Sequence, residues 1–527
     1  MTYFKCTDFR RNRNVSHVFA KLFGYIKSYN LALIMEKYDL VVVGAGPSGY
    51  AATMRAIDFK KKVLLVERKR VGGAGVTNGA LSSKTWWELT RQAYLFKKNL
   101  KRYDIDIPDV NFSEIREEVK RAVAERKEML EEHMQLLEES NYADLLTYKT
   151  GSAKLLTNHE VEIVNGDGVE RVWAENIVLA TGSRPRILPD IPIDEKTILS
   201  SDGIENLEDF PKSMVILGAG VIGCEYATIF SGFGKTKVHL IDKGDRILPF
   251  EDEDVVRVIE GNMERKGVFI HRNSRLVRME IKDGRVEYEL EHDHGEKMVY
   301  HVEKALVSVG RVPNYENLWD ESVDIQLDNR GIEDNETQTS VSNVYAVGDI
   351  TSDIALVNVG ELEGRYAVER IFGKPKRKLV YENISTIMFL HPEVAGVGLN
   401  ENQARQKGIS YKVVSLDYSC IPRAIAMRNT QGFIKLLVTN NQDMKILGMR
   451  VVGNHASSAI QAVALLISMD KGIEELAECV HPHPSIIEGI QECARMLLGK
   501  SMFKPEAFKG KLMCKTCHNG VYEDIVF

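Results

Sequence analysis

One local pattern occurs twice in this chain, and each time it dictates a strand, a tight turn and a helix. KYDLVVVGAGPSGYAATMRA is an apolar run, then Gly44-x-Gly46-x-x-Gly49, then a stretch of helical periodicity. A second apolar strand from Lys62 to Val66 follows and ends in Glu67. The same order returns in SMVILGAGVIGCEYATIF, with Gly218, Gly220 and Gly223, and the strand VHLID that ends in Asp242. In such a βαβ unit the first glycine makes the turn and the second lets a pyrophosphate approach backbone N–H groups at the helix start. The third allows close helix–strand packing, and the acid accepts from a ribose hydroxyl. Two complete units on one chain point to two bound dinucleotides.

Three further segments extend the pattern. NIVLATGSRP sets Thr181-Gly182 after a buried strand, and ALVSVGRVPN does the same with Gly310-Arg311. SNVYAVGDI places Asp349 at a strand end, before the helical stretch LVNVGELEGRYAVERI. An acid there is placed to accept from a polyol chain or to cap that helix. The two acids Glu67 and Asp242 fit unphosphorylated riboses, and Lys243 leaves room for a 2′-phosphate, so NAD is expected ahead of NADP.

The 527 residues suffice for several cores, and 44% hydrophobic with 27% charged residues is globular composition. A net charge of -6 gives no reason to expect a nucleic-acid partner. The longest apolar run, around Ser457 to Met469, is too short to span a bilayer. Scattered cysteines make no secreted disulfide framework, and the expected location is cytoplasmic. Ser113 to Ser140 reads as an amphipathic helix with a solvated face, and Trp86 and Trp87 as packed aromatics at a dimer interface or over the loop before them.

From about Tyr38 to Leu498 the chain resembles the flavoprotein pyridine nucleotide–disulfide oxidoreductases, the family of dihydrolipoyl dehydrogenase, glutathione reductase and soluble transhydrogenase. The resemblance implies an α/β fold with two Rossmann-like domains and a C-terminal α+β dimerisation domain. It implies FAD-binding residues 38–195 and 314–379, NAD(P)-binding residues 196–313 and dimerisation residues 380–498, containing IMFLHPEVAGVG. It places FAD on Gly44, Gly46, Gly49, Glu67, Lys84, Gly182 and Asp349, and NAD on Gly218, Gly220, Gly223, Asp242 and Gly310. Lys84 matches the family lysine near the flavin, and Glu225 its carboxylate partner. His483-Pro484 and Glu488 match a dyad in which the glutamate orients an imidazole given to the partner subunit of a homodimer. Such a carboxylate makes the histidine a better base, although a packed interface histidine reads the same.

The chain also departs from the family. In VGGAGVTNGALSSKTWWEL, matched on Gly72-Gly73 and Ser83-Lys84, the two redox-cysteine positions hold Gly75 and Ala80. Neither residue supplies the thiolate that attacks a disulfide. The expected function is an FAD-dependent NAD(P)H oxidoreductase without that relay, acting on a small-molecule or protein acceptor. The alternatives are a soluble transhydrogenase and a non-catalytic flavin-binding or partner-recognition protein.

The two ends carry further expectations. Residues 499–527 read as a mobile arm with Cys514-x-x-Cys517-His518. That motif fits c-type haem attachment, half a zinc site, a redox dithiol standing in for the missing pair, or two inert thiols; no bound metal is expected. The basic segment 1–34, with Asp8 its lone acid, stays outside the fold, which is expected to begin after residue 37. A start assigned upstream of Met35 ranks first, a surface arm second and a transit peptide third.

Overall fold

The structure is a computed structural model that describes residues 35–77, 79–100, 109–166, 168–293, 295–351 and 354–525. The readings of segment 1–34 therefore lie outside the described residues. Contacts divide the chain into two compact units: 35–71, Glu132–Gly182 and Asn314–Pro375 form the first, and the rest forms the second. The expected flavin domain 38–195 is thus split, because residues 72–131 and 183–195 pack with the second unit.

The first unit is built on a seven-stranded sheet. Its parallel part joins Leu146–Thr150, Val63–Glu67, Glu36–Val43, Gly168–Leu179 and Val344–Ala346. Two antiparallel strands, Glu160–Asn165 and Ser152–Leu155, extend it. Leu40, Val41 and Val42 are fully buried in succession, as a parallel strand covered on both faces requires. The helices Pro47–Asp58 and Val357–Phe372 meet through small residues. A Cβ on Gly364 would lie 2.2 Å from the Ser48 carbonyl oxygen, so the crossing demands glycine.

The second unit holds a parallel sheet of five strands, with Ser213–Leu217 between Lys237–Ile241 and Lys304–Val307. Helix Val221–Phe233 packs beside helix Ala80–Asn99, where Trp86 is fully buried against Phe112, Phe230 and Phe233. Trp87 donates its indole N–H to the Leu390 carbonyl at 3.1 Å. Both tryptophans are core residues of their own chain. The helix Phe112–Glu138 covers the amphipathic segment read from the sequence.

A seven-stranded antiparallel sheet completes this unit, ending in Tyr411–Asp417, Leu512–His518 and Val521–Asp524. The expected mobile arm is corrected here. Leu512 to Cys517 pair with Leu416 to Tyr411, and the residues before them are tied down by Glu492, which accepts from the Ser501 hydroxyl at 2.6 Å. Lysines and a proline obscured a strand whose buried residues are Leu512, Cys514 and Cys517.

Ion pairs bolt this sheet to the start of helix Glu253–Arg265 in the same unit. Lys435 is fully buried among Asp252, Asp254 and Glu401 at 2.7, 2.7 and 3.0 Å. Removing one member of such a cluster strands the others' charge and costs roughly 3–5 kcal/mol. Tyr522, in the last strand, donates to Glu401 at 2.7 Å and so ties the C-terminal hairpin to the same cluster. Among the described residues no helix is long and apolar enough to cross a membrane.

Candidate active site

The two fingerprints use their glycines in the same way. Gly44 and Gly218 sit at φ +106° and +101°, where side chains are strained. A Cβ there would lie 2.4 Å from the Ala180 oxygen and 2.6 Å from the Ser308 oxygen. On Gly49 and Gly223 it would lie 1.8 and 1.9 Å from the carbonyl oxygens of Gly44 and Gly218. The middle glycines differ, since a Cβ on Gly46 or Gly220 meets nothing within 4 Å. The protein has room for a side chain at both places and carries none. Each is the N-cap of its helix with no side chain capping it, and the first N–H groups of a helix have no partner within it.

The acids brace the same turns. Glu67 accepts from the backbone N–H groups of Ala45 and Lys69, each at 2.8 Å. Asp242 accepts from those of Ala219 at 2.9 Å and Gly244 at 2.8 Å. Carboxylate oxygens have lone pairs left after one bond each, which suits a ribose hydroxyl. Both cradles fit the phosphate and ribose of a dinucleotide.

Gly182 lies in the first unit at φ +66°, held by Asn314, whose N–H donates to its carbonyl at 2.9 Å. In the second unit Gly310 sits at φ +104°, and Arg311 beside it donates to Ser183 through two nitrogens at 2.8 Å. Asp349 is half-buried, next to Gly348, whose Cβ position would clash with the Ser48 hydroxyl at 2.3 Å. That contact sets Asp349 beside the first fingerprint. The capping alternative fails, because the following helix begins at Val357 with Leu356 as its N-cap. Sequence reading missed Glu363, a buried carboxylate that takes the Gly348 N–H at 2.6 Å and fixes this loop.

Lys84 and Glu225 come together as expected, 2.8 Å apart, with Glu225 buried. The other Glu225 oxygen accepts from the Phe389 N–H at 3.0 Å, and the Lys84 ammonium lies over the Phe389 ring. Phe389 was not singled out from sequence, and the lone clue was its place in IMFLHPEVAGVG. His483 and Glu488 are also paired, at 2.7 Å, with the imidazole largely exposed. Burial raises the Glu488 carboxyl, and the bonds from His483 and the Ser485 N–H outweigh it, leaving it below the ordinary range. The His481 Nε2 lies 3.5 Å from the Leu476 carbonyl oxygen.

The cysteine motif is not brought together. Cys514 packs into the core on one face of the sheet with Val414, Ile434 and Cys493, and Cys517 packs on the other with Ala404, Tyr411 and Leu437. Residues three apart on a strand point to opposite sides. Their Cα atoms are about 10 Å apart at ~3.3 Å per residue, beyond the roughly 7 Å limit of a disulfide. Burial pushes the Cys514 thiol up to about 12. A dithiol, a shared zinc ion and double thioether attachment of one haem are all excluded for this pair in this fold.

The residue pattern of the pyridine nucleotide-disulphide oxidoreductases matches residues 38–364, and that of their dimerisation domain matches 384–494. This chain belongs to that family. Dihydrolipoyl dehydrogenase of Bacillus subtilis is 31% identical over 88% of this chain and 99% of its own length. That of Geobacillus stearothermophilus is 33% identical over 88% of this chain and 96% of its own. Among solved structures, LpdA from Mycobacterium tuberculosis superposes with a TM-score of 0.80 at 24% identity, covering 88% of this chain and 100% of that one. The HOCl-induced flavoprotein disulfide reductase RclA from Escherichia coli gives 0.76 at 24% identity, covering 87% and 100%. These two structures share the fold. As a family member the chain is a flavin-dependent NAD(P)H oxidoreductase, with FAD and NAD(P) as its cofactors.

Proposed function

We propose that this enzyme oxidises NADH and passes the electrons to an acceptor without any thiol relay. FAD, when bound, supplies the two-electron chemistry between the nicotinamide and that acceptor. The observation that carries the reading is the contrast within one chain. Both dinucleotide cradles are complete, while positions 75 and 80 hold Gly and Ala and the remaining cysteine pair is buried on opposite faces of a sheet. Dihydrolipoyl oxidation, the activity named for the relatives, needs a thiol for disulfide exchange. No such thiol stands in the loop that follows Gly72-Gly73.

The exposed His483, polarised by Glu488, offers a base or acid at its free ring nitrogen. That role favours an acceptor that takes up protons with its electrons, such as a quinone. The dimerisation domain supports a homodimer in which this imidazole serves the partner's site. Asp242 supports NADH over NADPH. Hydride exchange between two nicotinamides is the second reading, favoured by the same missing thiols.

The test is an anaerobic titration of the purified FAD-loaded protein with NADH and then NADPH, followed by turnover with quinones, disulfides and thio-NADP. Flavin bleaching at one two-electron equivalent with quinone turnover supports the proposal. Transfer to thio-NADP alone supports the second reading, and turnover with dihydrolipoamide overturns both.

A further inference from the structure

A small cavity of about 10 Å³ opens in the second unit between helices Ala80–Asn99 and Val221–Phe233. Arg91, Tyr94, Thr228, Lys266 and His391 line it, and no carboxylate does. Lys266 is the unusual member. Among the described residues its ammonium has no hydrogen-bond or ion-pair partner, and it rests over the Tyr94 ring at 4.6 Å. Burial brings it down to about 8. Glu88 takes the Nε and Nη2 of Arg91, and among the described residues no hydrogen bond holds its Nη1. His391 packs edge-on against Tyr94 at 4.7 Å, and burial, with Lys266, Lys98 and Arg91 beside it, brings it down to about 3. A neutral imidazole keeps one N–H to donate. The hydroxyls of Thr90 and Thr228 already donate to helix carbonyls. The nearby Glu393 is attracted to Arg91 and accepts from the backbone of Ser457 and His455.

A space this small holds one water-sized occupant. Its free groups are N–H donors on cationic or neutral nitrogens, and the positive edges of aromatic rings complete such a wall. Arg91 is already paired with Glu88, but the half-buried Lys266 ammonium has no carboxylate beside it. Water would leave that charge without a counter-ion, whereas a monatomic anion neutralises it and can accept from the N–H groups that line the cavity.

We propose that this cavity is a binding site for a single halide ion, chloride under ordinary conditions, held by Lys266, Arg91 and His391. The ion clasps the segments that build the Lys84–Glu225 pair. Helix Ala80–Asn99 carries Lys84, helix Val221–Phe233 carries Glu225, and His391 follows two residues after Phe389, which holds Glu225 in place. The site is independent of which acceptor the enzyme uses.

Crystals of the FAD-loaded protein grown in sodium bromide, with data collected at the bromine absorption edge, test this directly. An anomalous peak within hydrogen-bond reach of the Lys266 Nζ is expected. In solution, replacing gluconate by chloride at constant ionic strength should raise Tm saturably by about 2 °C. Lys266→Met should abolish that rise, and His391→Gln, which keeps an N–H donor, should retain most of it. A cavity without anomalous signal, or an equal chloride response in wild type and Lys266→Met, overturns the proposal.

Discussion

Cys514 and Cys517 sit on one strand with their sulfurs on opposite faces of a sheet, each inside a different cluster of apolar side chains. Neither reaches a redox partner through the other. Cys514→Ala/Cys517→Ala should therefore leave flavin reduction by NADH and the electron count per flavin unchanged. Its effect should be on stability, about 1 kcal/mol for each small cavity. Anaerobic titration beside urea unfolding separates the two, and loss of a second electron pair in the variant would contradict this reading.

The Lys84–Glu225 pair gives a second expectation. Glu225 is buried and takes both the Lys84 ammonium and the Phe389 N–H. Lys84→Met removes one partner and leaves a buried carboxylate short of positive charge, which should destabilise the FAD-loaded enzyme by about 3 kcal/mol. Adding Glu225→Met removes the stranded charge and should restore part of that loss. A double-mutant cycle in urea with no coupling between the two positions would rule out a direct pairing.

The parts legible in the sequence were those written in local spacing. Both fingerprints and the acids Glu67 and Asp242 stand in motifs whose chemistry fixes the residue types, whereas the Lys84–Glu225 pair and the His483–Glu488 dyad were legible through the resemblance to the family. The cradle of Gly46 and Gly220 was readable because glycine there answers to a ligand, which physical reasoning expects. The C-terminal hairpin was not legible, since its strand is short, carries Lys515 in its middle and becomes a strand only by pairing with Tyr411–Asp417. Glu363, Phe389 and Lys266 were missed for a related reason. Each acquires its role from a residue far away in sequence, and no local period marks it.

Acid should weaken the fold through His271. Burial, with His239 and His292 nearby, brings its imidazole from 6.5 down to about 4, and its Nε2 lies 3.0 Å from the His239 Nδ1. The unfolded chain takes up this proton below pH 6.5 while the folded one does not. Stability from this group is therefore complete above that pH and is lost progressively as pH falls toward about 4. The ring is partly exposed, so solvent screening limits the loss to roughly 1–2 kcal/mol. His271→Gln should flatten the pH dependence of the urea midpoint over this range, and an unchanged slope would assign the acid sensitivity elsewhere.

The glycines of the fingerprints separate folding from cofactor binding. A Cβ on Gly49 or Gly223 would fall 1.8 or 1.9 Å from a carbonyl oxygen, so Gly49→Ala and Gly223→Ala should yield little folded protein. At Gly46 and Gly220 the same methyl group meets no protein atom within 4 Å. Gly46→Ala should fold with native circular dichroism yet purify largely without the yellow of FAD. Gly220→Ala should keep its FAD and raise the KM for NADH by about tenfold, a loss of one good phosphate contact at roughly 1.4 kcal/mol. The opposite assignment, with Gly46→Ala keeping FAD and Gly220→Ala losing it, would exchange the two sites. The contrast is informative because both substitutions add the same atom to the same local geometry. Any difference between them then reports the ligand that each helix start receives, and not the tolerance of the fold.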